Sequence, residues 1–146
     1  MLLETSRFGA VDVEVEDILH FPDGLIGFED QRHWVLLADE QNESLGWLQS
    51  VRSSHVALPV VSPRRFAADY QVRIVKSQLL RLELEQTHQA FVLNVINRHD
   101  EQFTVNLKAP VIINLDRRLG RQVVTLDEQP IALPFAESPA AARKIA

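Results

Sequence analysis

The sequence contains no cysteine, which excludes disulfides, cysteine nucleophiles and cysteine-based zinc sites. Aromatic residues make up only 7% of the chain, whereas proteins that bind single-stranded nucleic acid stack bases on exposed aromatic rings. No apolar run approaches the roughly 20 residues of a membrane span. The N-terminus carries an acid at Glu4 and no apolar core of a signal peptide. We therefore expect a cytoplasmic protein that contacts neither membrane nor nucleic acid directly.

Motifs for common chemistries are also missing. No glycine-rich phosphate loop and no Gly-x-Ser-x-Gly nucleophile motif occurs. The five histidines are scattered, without the short spacings that are typical of metal ligands. We therefore expect no catalytic residue, no metal and no cofactor.

Length and composition are those of a globular protein. A chain of 146 residues with 46% hydrophobic residues can bury a sizeable core without a metal or a disulfide. We predict one domain over residues 1–135 and a C-terminal tail over 136–146.

Charge is distributed unevenly along the chain. Residues 1–50 contain eleven acids and two bases, and residues 51–146 contain nine acids and thirteen bases. An acidic N-terminal third repels nucleic acid and attracts a basic protein. It is also what a merely solvated surface would show.

Alternation of apolar and polar residues predicts mainly strands. In the first segment Val11, Val13 and Val15 alternate with acids. Pro22-Asp23-Gly24 has the composition of a tight turn. Further strands are predicted at 34–38, 47–51, 56–61, 70–75, 91–97, 103–107, 111–115 and 122–126.

Two stretches favour helical turns. Ser62 and Pro63 suit the start of a turn that runs to Asp69. Residues 76–86 read KSQLLRLELEQ, and their composition favours a short helix or turn that leads into a strand. The predicted fold is therefore all-β: a small antiparallel β-barrel-like single domain with short helical turns.

Two chemical alternatives remain open. Asp12, Glu14 and Glu16 would lie on one face of the predicted strand, where a pair of carboxylates could serve an enzyme. Nothing apolar on that face would raise the pKa of one of them, so a solvated or steering role fits better. A basic cluster at Arg117, Arg118 and Arg121 leaves open a barrel that binds single-stranded nucleic acid.

Polar residues also occur inside predicted strands, where they are unusual. Asn106 and Asn114 lie in the segment FTVNLKAPVIINL at 103–115, which reads as two strands separated by Lys108-Ala109-Pro110. We predict that both asparagines point away from the apolar face, and that Gln49 and Tyr70 likewise present polar tips to a partner. The alternative for each asparagine is a local hydrogen bond at a strand end or bulge.

Several segments together resemble the flagellar assembly factor FliW family. They are FPDGLIGFED (21–30), WLQS (47–50), SPRRFAADY (62–70), FVLNVIN (91–97) and NLKAPVIINLDRRLGRQVV (106–124). They occur in the order in which the family has them, and NLKAP with the apolar run that follows is the most specific.

The resemblance implies a non-enzymatic flagellar assembly factor with a β-barrel-like fold. Members of the family bind the C-terminal region of cytoplasmic flagellin in a chaperone-like way. They also bind and antagonise the carbon storage regulator, which is an RNA-binding translational repressor. Partner switching between the two proteins would couple flagellin export to flagellin translation. For partner contacts we select Asp12, Glu14, Glu16, Gln49, Tyr70, Asn106 and Asn114.

Overall fold

The computed structural model describes residues 1–63, 69–85 and 89–135. The predicted tail at 136–146 lies outside the described residues, as does the middle of the helical turn predicted at 62–69. Within the described ranges the elements are β1 (Leu2–Thr5), β2 (Gly9–Asp12), a 3-10 turn (Val15–Asp17), β3 (Ile18–His20), β4 (His33–Ala38), β5 (Leu45–Ser50), β6 (Ala57–Val61), α1 (Lys76–Arg81), β7 (Ala90–His99), β8 (Gln102–Val105), β9 (Val111–Asn114), β10 (Leu119–Gln122) and β11 (Leu133–Phe135).

Seven of these strands close into a barrel. Their order is β7-β6-β5-β4-β3-β10-β9, and the pairing of β9 with β7 completes the circle. The pairs are antiparallel except β3 with β10, which run parallel. The predicted all-β, barrel-like fold is confirmed. The predicted helix is α1, but the chain does not pass directly from it into a strand.

Strand β7 belongs both to the barrel and to an extension of it. Its first part, Ala90–Leu93, pairs with β9, and its last part, Ile96–His99, pairs with β8. Strand β11 then pairs with the outer side of β8. Because β8 and β9 both run antiparallel to β7, the predicted break at Lys108-Ala109-Pro110 is where the chain leaves the extension and enters the barrel.

The interior of the barrel is apolar. Trp34 and Phe21 are fully buried there, and the indole nitrogen Nε1 of Trp34 donates to the main-chain oxygen of Gln31 at 2.8 Å. The buried residues of this inner core are Leu19, Phe21, Leu25, Trp34, Leu48, Val60, Leu93, Val95, Val111 and Ile113.

Three smaller apolar clusters lie on the outside of the barrel. One packs the β1–β2 hairpin against β4, one packs residues 72–84 against β9, and one joins β5 and β6 to the β8–β11 extension. Their buried members are Leu3, Val13 and Val35; Leu82, Ile112 and Val123; and Leu45, Val61, Ile96, Val105 and Leu107. Several strands are therefore buried on both faces, which explains why β4 and β9 read as continuous apolar runs.

The strand predicted from Val11 to Val15 is wrong after Asp12. Strand β2 ends there, Val13 is buried, and Val15 is 65% exposed at the start of the 3-10 turn. The main-chain N–H of Glu14 donates to a carboxylate oxygen of Asp17 at 2.8 Å. This local bond turns the chain out of the extended conformation, as acidic residues do at helix starts.

Other strand limits also differ from the predictions. Residues 70–75 form no strand, although Arg73 exchanges hydrogen bonds with Thr125 and Leu126. The strand predicted at 122–126 lies earlier, at Leu119–Gln122. The turn predicted at Pro22-Asp23-Gly24 is present: Gly24 has a φ of +66° and its N–H donates to the oxygen of Phe21 at 2.9 Å.

Gly120 provides a test of the packing inside the barrel. A methyl group at this position would overlap the ring of Phe21, which is fully buried. We expect Gly120→Ala to lower the free energy of unfolding by about 1–3 kcal/mol, because overpacking forces side chains off their rotamers. Urea denaturation measures the change.

The matched control is the double variant Phe21→Leu/Gly120→Ala. Leucine at position 21 has no ring and leaves room for the methyl group. The double variant should therefore lose less free energy of unfolding than the sum of the losses in the two single variants. Simple additivity would contradict the proposed contact.

Candidate partner-binding surfaces

Acidic side chains of the N-terminal third lie on the surface. Ten of the eleven acids in residues 1–50 are exposed, and Asp39 is the buried exception. Four of them, Asp12, Glu14, Glu16 and Asp17, follow one another where the hairpin ends and the 3-10 turn begins, and we name them the acidic corner. Within the described residues, Glu14 and Glu16 form no ion pair, so their charges are available to a ligand.

The acidic corner does not have the geometry predicted for it. Asp12 is the last residue of β2, Glu14 precedes the 3-10 turn and Glu16 lies within that turn, so the three do not share one face of a strand. Asp12 lies 3.4 Å from the N-terminal amine of Met1. This arrangement removes the geometric basis for a carboxylate pair.

A groove of about 570 Å³ lies between the hairpin and the end of β4, and we name it the hairpin groove. Its walls combine apolar and acidic groups. They are Arg7, Phe8, Ala10, Val11 and Asp12 on the hairpin side, and Leu37, Ala38, Asp39, Glu40 and Gln41 on the β4 side. The sequence did not indicate this groove, because its two walls are some 30 residues apart in the chain and no motif links them.

Trp47 holds Asp39, a lining residue of the hairpin groove, in place. The indole N–H of Trp47 donates to Asp39 at 3.2 Å, and Asp39 also accepts bonds from the main-chain N–H groups of Gln41 and Asn42. The Arg7 guanidinium lies 5.2 Å from the centroid of the Trp47 ring. Arg7 is thereby held against an aromatic face, as in a cation–π contact.

A second, more apolar groove of about 390 Å³ lies beside α1, and we name it the helix groove. It is lined by Ser62, Pro63, Tyr70, Val72, Ile74, Leu79, Ala90, Phe91, Val92 and Ile112. Tyr70 is half-buried here, and its hydroxyl donates to the oxygen of Leu107 at 2.6 Å. Burial raises the pKa of Tyr70, so this donor stays protonated.

Asn106 serves the break between β8 and β9. Its side-chain oxygen accepts bonds from the main-chain N–H groups of Lys108 and Ala109, at 3.0 and 2.9 Å. The side-chain amide of Asn94, in β7, donates to the main-chain oxygen of Asn106 at 3.0 Å. The local hydrogen bond considered as an alternative for Asn106 is therefore present.

Asn114 points away from Val111 and Ile113, as predicted, but not into solvent. It is 2% exposed, because residues 72–84 cover that side of β9. Its amide nitrogen donates to the main-chain oxygens of Leu82 and Glu83 at 3.0 and 3.2 Å. The expectation that Asn114 lies on an outward surface is wrong.

Gln49 is buried as well. Its side chain has no exposed area, and its amide nitrogen contacts the main-chain oxygens of Ser50, Ser53 and Ser54 at 3.0–3.3 Å. The β1–β2 hairpin covers this side of the sheet, and the N–H of Ser6 donates to the oxygen of Ser54. The outward polar tip predicted for Gln49 is therefore wrong too, and its side chain tethers the turn after β5.

Lys108 of the NLKAP motif also forms hydrogen bonds within the fold. Its ammonium donates to the main-chain oxygens of Thr125 and Asp127 at 3.0 and 2.7 Å. Arg73 forms a salt bridge with Asp127. The hydrogen bond from Arg73 is the main reason that the pKa of Asp127 lies below its ordinary value. The motif thus joins residues 70–75, β9 and residues 123–127.

The basic cluster is not a free surface. Arg121 forms a salt bridge with Asp23, and its Nε donates to Gln78 at 3.0 Å. Arg118 donates to the main-chain oxygen of Val15 at 3.1 Å. Only Arg117 of the three is without a side-chain partner among the described residues, which weakens the case for a nucleic-acid surface.

Two of the histidines stack on each other. His20 and His33 face each other across β3 and β4, with ring centroids 5.1 Å apart. Within residues 1–63, 69–85 and 89–135, no group of three or more metal-ligating side chains is found. The described part of the chain contains no helix that could cross a bilayer.

Fold and surface define a small β-barrel protein that carries open grooves and an acidic corner on its outside. Comparisons with known proteins agree with this fold and show the family. The family model described as "FliW protein" matches residues 2–134. The solved "Crystal structure of the flagellar assembly factor FliW" has a TM-score of 0.81 and 25% identity, over 92% of this chain and 95% of that one.

Curated relatives extend this agreement, and each is named "Flagellar assembly factor FliW". The protein from Bdellovibrio bacteriovorus is 40% identical over 129 residues, which are 87% of this chain and 74% of the relative. The protein from Clostridium tetani is 34% identical over 131 residues, which are 88% of this chain and 90% of the relative. The chain belongs to the FliW family.

Asn114 allows a test of its structural role. Asn114→Ala leaves the main-chain oxygens of Leu82 and Glu83 without their donor, and we expect a loss of about 1–3 kcal/mol in the free energy of unfolding. Chemical denaturation measures this loss. The control is Asn97→Ala, because Asn97 is an exposed asparagine of β7 that forms no side-chain hydrogen bond with the described residues. Equal losses in the two variants would contradict the role of Asn114.

Proposed function

We propose that this protein is a non-enzymatic flagellar assembly factor of the cytoplasm. It binds the C-terminal region of flagellin and antagonises the carbon storage regulator, and it switches between these two partners. Family membership supports the assembly role, since the curated relatives are named flagellar assembly factors. The acidic corner is the observation that carries the choice of a basic protein as one partner.

The regulator is an RNA-binding protein, so it presents a basic surface. An exposed group of acids attracts such a surface over distances of about one Debye length and raises the rate of association. The acidic corner has this character, because its four side chains are exposed and, among the described residues, only the N-terminal amine forms an ion pair with one of them. Its members Asp12, Glu14 and Glu16 are the predicted contacts that retain an outward position.

Flagellin requires a different kind of surface. A terminal segment that is unfolded before export has apolar side chains to protect, and an apolar groove can shield them. The helix groove offers Val72, Ile74 and Leu79 beside the ring of Phe91. Tyr70 lines the same groove, so its predicted role as a partner contact is kept here.

A competition experiment tests the partner switch. The protein is first saturated with the regulator, and a C-terminal flagellin fragment is then added while complexes are separated by size exclusion. Displacement of the regulator is expected, and by thermodynamic reciprocity the regulator must weaken flagellin binding by the same factor. If neither partner co-elutes with the protein, the proposed function is wrong.

Charge reversal tests the acidic corner. The triple variant Asp12→Lys/Glu14→Lys/Glu16→Lys should bind the regulator about tenfold more slowly at low salt, because most of the electrostatic attraction is lost. The salt dependence of the association rate should become flatter. Stopped-flow mixing at several salt concentrations measures both quantities.

The control variant carries the same change in net charge elsewhere. Glu101, Asp116 and Glu128 are exposed and have no side-chain partner among the described residues. Their replacement by lysine should slow association much less. Equal slowing in both triple variants would show that net charge, rather than the acidic corner, governs the encounter.

Neighbouring leucines of α1 test the helix groove. Leu79 lines the groove, whereas Leu80 is 66% exposed and does not. Leu79→Glu should weaken flagellin binding about tenfold, because it removes apolar contact and places a charge in the groove. Leu80→Glu should change it little. Isothermal titration calorimetry compares the two, and similar affinities for both variants would argue against flagellin in this groove.

A further inference from the structure

The β1–β2 hairpin leaves one edge of β2 without a strand partner. Gly9 and Val11 face β1 in the ladder, and the N–H of Val13 continues it by donating to the oxygen of Met1 at 2.8 Å. Because hydrogen bonds alternate along an antiparallel strand, the main-chain groups of Ala10 and Asp12 point the other way. Among the described residues nothing pairs with them on that side.

This free edge borders the hairpin groove. Ala10 and Asp12 both line it, and Leu37 and Ala38 of β4 form part of the opposite wall. Proteins usually protect an exposed edge with proline, with lysine or with a covering loop. Strand β2 reads GAVD and contains neither proline nor lysine; its one charge, at Asp12, disfavours the addition of an acidic strand but not of a basic one.

Side chains of an added strand would meet two different environments. The side chain of Val11 packs towards the barrel in the cluster around Val35, whereas the side chains of Ala10 and Asp12 are exposed. Successive residues of a strand alternate in the same way. One face of the added strand would therefore lie over the apolar wall at Leu37, and the other would lie beside Asp12.

Charge selects the chemistry of the outer face. The Asp12 side chain remains 75% exposed although the N-terminal amine lies 3.4 Å from its Oδ1 atom, and Glu40 is exposed on the opposite rim. Among the described residues that line the groove, Arg7 is the only base, and its guanidinium is held over the Trp47 ring. We propose that the hairpin groove binds an extended peptide segment with alternating apolar and basic residues, which adds to β2 as a third, hydrogen-bonded strand.

The inference deepens the proposed function, since it assigns to the basic partner a mode of binding beyond steering. The probe is an end-capped octapeptide of alternating valine and lysine, and its counterpart has glutamate in place of lysine. Amide hydrogen exchange of the wild-type protein is followed by NMR at increasing peptide concentration. Strand addition should slow the exchange of Ala10 and Asp12 at least tenfold with the lysine peptide and leave it unchanged with the glutamate peptide.

Two substitutions at one position separate charge from the main chain. Asp12→Asn keeps the N–H and should weaken binding of the lysine peptide about threefold, as expected for an exposed cross-strand pair. Asp12→Pro removes the N–H as well, on the side where β2 has no ladder bond to lose, and should weaken binding about tenfold or more. Circular dichroism checks that each variant is folded, and the wild-type exchange data remain decisive if one is not.

The possible outcomes separate this inference from the proposed function. Absence of slowed exchange at millimolar lysine peptide, or equal weakening by Asp12→Asn and Asp12→Pro, overturns strand addition. The amides of Ala10 and Asp12 could instead already be protected from exchange in the absence of peptide, with the protein eluting as a dimer. That result would mean that a second copy of the chain occupies the edge, and it would also overturn the addition of a peptide strand. If the lysine peptide slows exchange but neither flagellin nor the regulator binds, strand addition stands and the proposed function falls.

Discussion

The hydrogen bond between Asn94 and the main chain of Asn106 lies where β7 changes its strand partner from β9 to β8, and the architecture depends on that change. Strand β7 must accept two different partners along one edge, first β9 inside the barrel and then β8 outside it. The chain between those partners has to leave the edge and return, and its main-chain groups need replacements for the ladder bonds that they lose. Asn94 and Asn106 supply those bonds, and Tyr70 supplies one more to Leu107.

The same break organises the rest of this side of the molecule. The main-chain oxygens of Lys108 and Pro110 accept bonds from Thr125 and Val123, while the ammonium of Lys108 reaches across to residues 125 and 127. Asp127 in turn holds Arg73. The NLKAP motif, which carried much of the resemblance seen in the sequence, thus has a structural role, because it secures the segment that leads to α1 and forms one side of the helix groove.

Much of the fold was predictable from the sequence because the period-2 pattern of a strand is local. The pattern located β4, β5, β6, β7, β8 and β9, and Lys108-Ala109-Pro110 between two apolar runs marked the break between the last two. The segment that covers the outer face of a strand lies far away in the sequence, so the local pattern does not reveal it. Asn114 and Gln49 look like outward polar residues, yet residues 72–84 cover the first and the hairpin covers the second. The hairpin groove was missed for the same reason, since Ala10 and Leu37 meet only after folding.

The packing that stabilises this barrel is divided between the inner core and three outer apolar clusters. The inner core and the three outer clusters share the strands between them, but each cluster has its own set of buried side chains. Loosening one cover therefore exposes its own few apolar residues and leaves the others packed, so opening can occur in parts. We therefore expect local opening of the hairpin to begin in the cluster of Leu3, Val13 and Val35, while the strands of the closed ring stay paired.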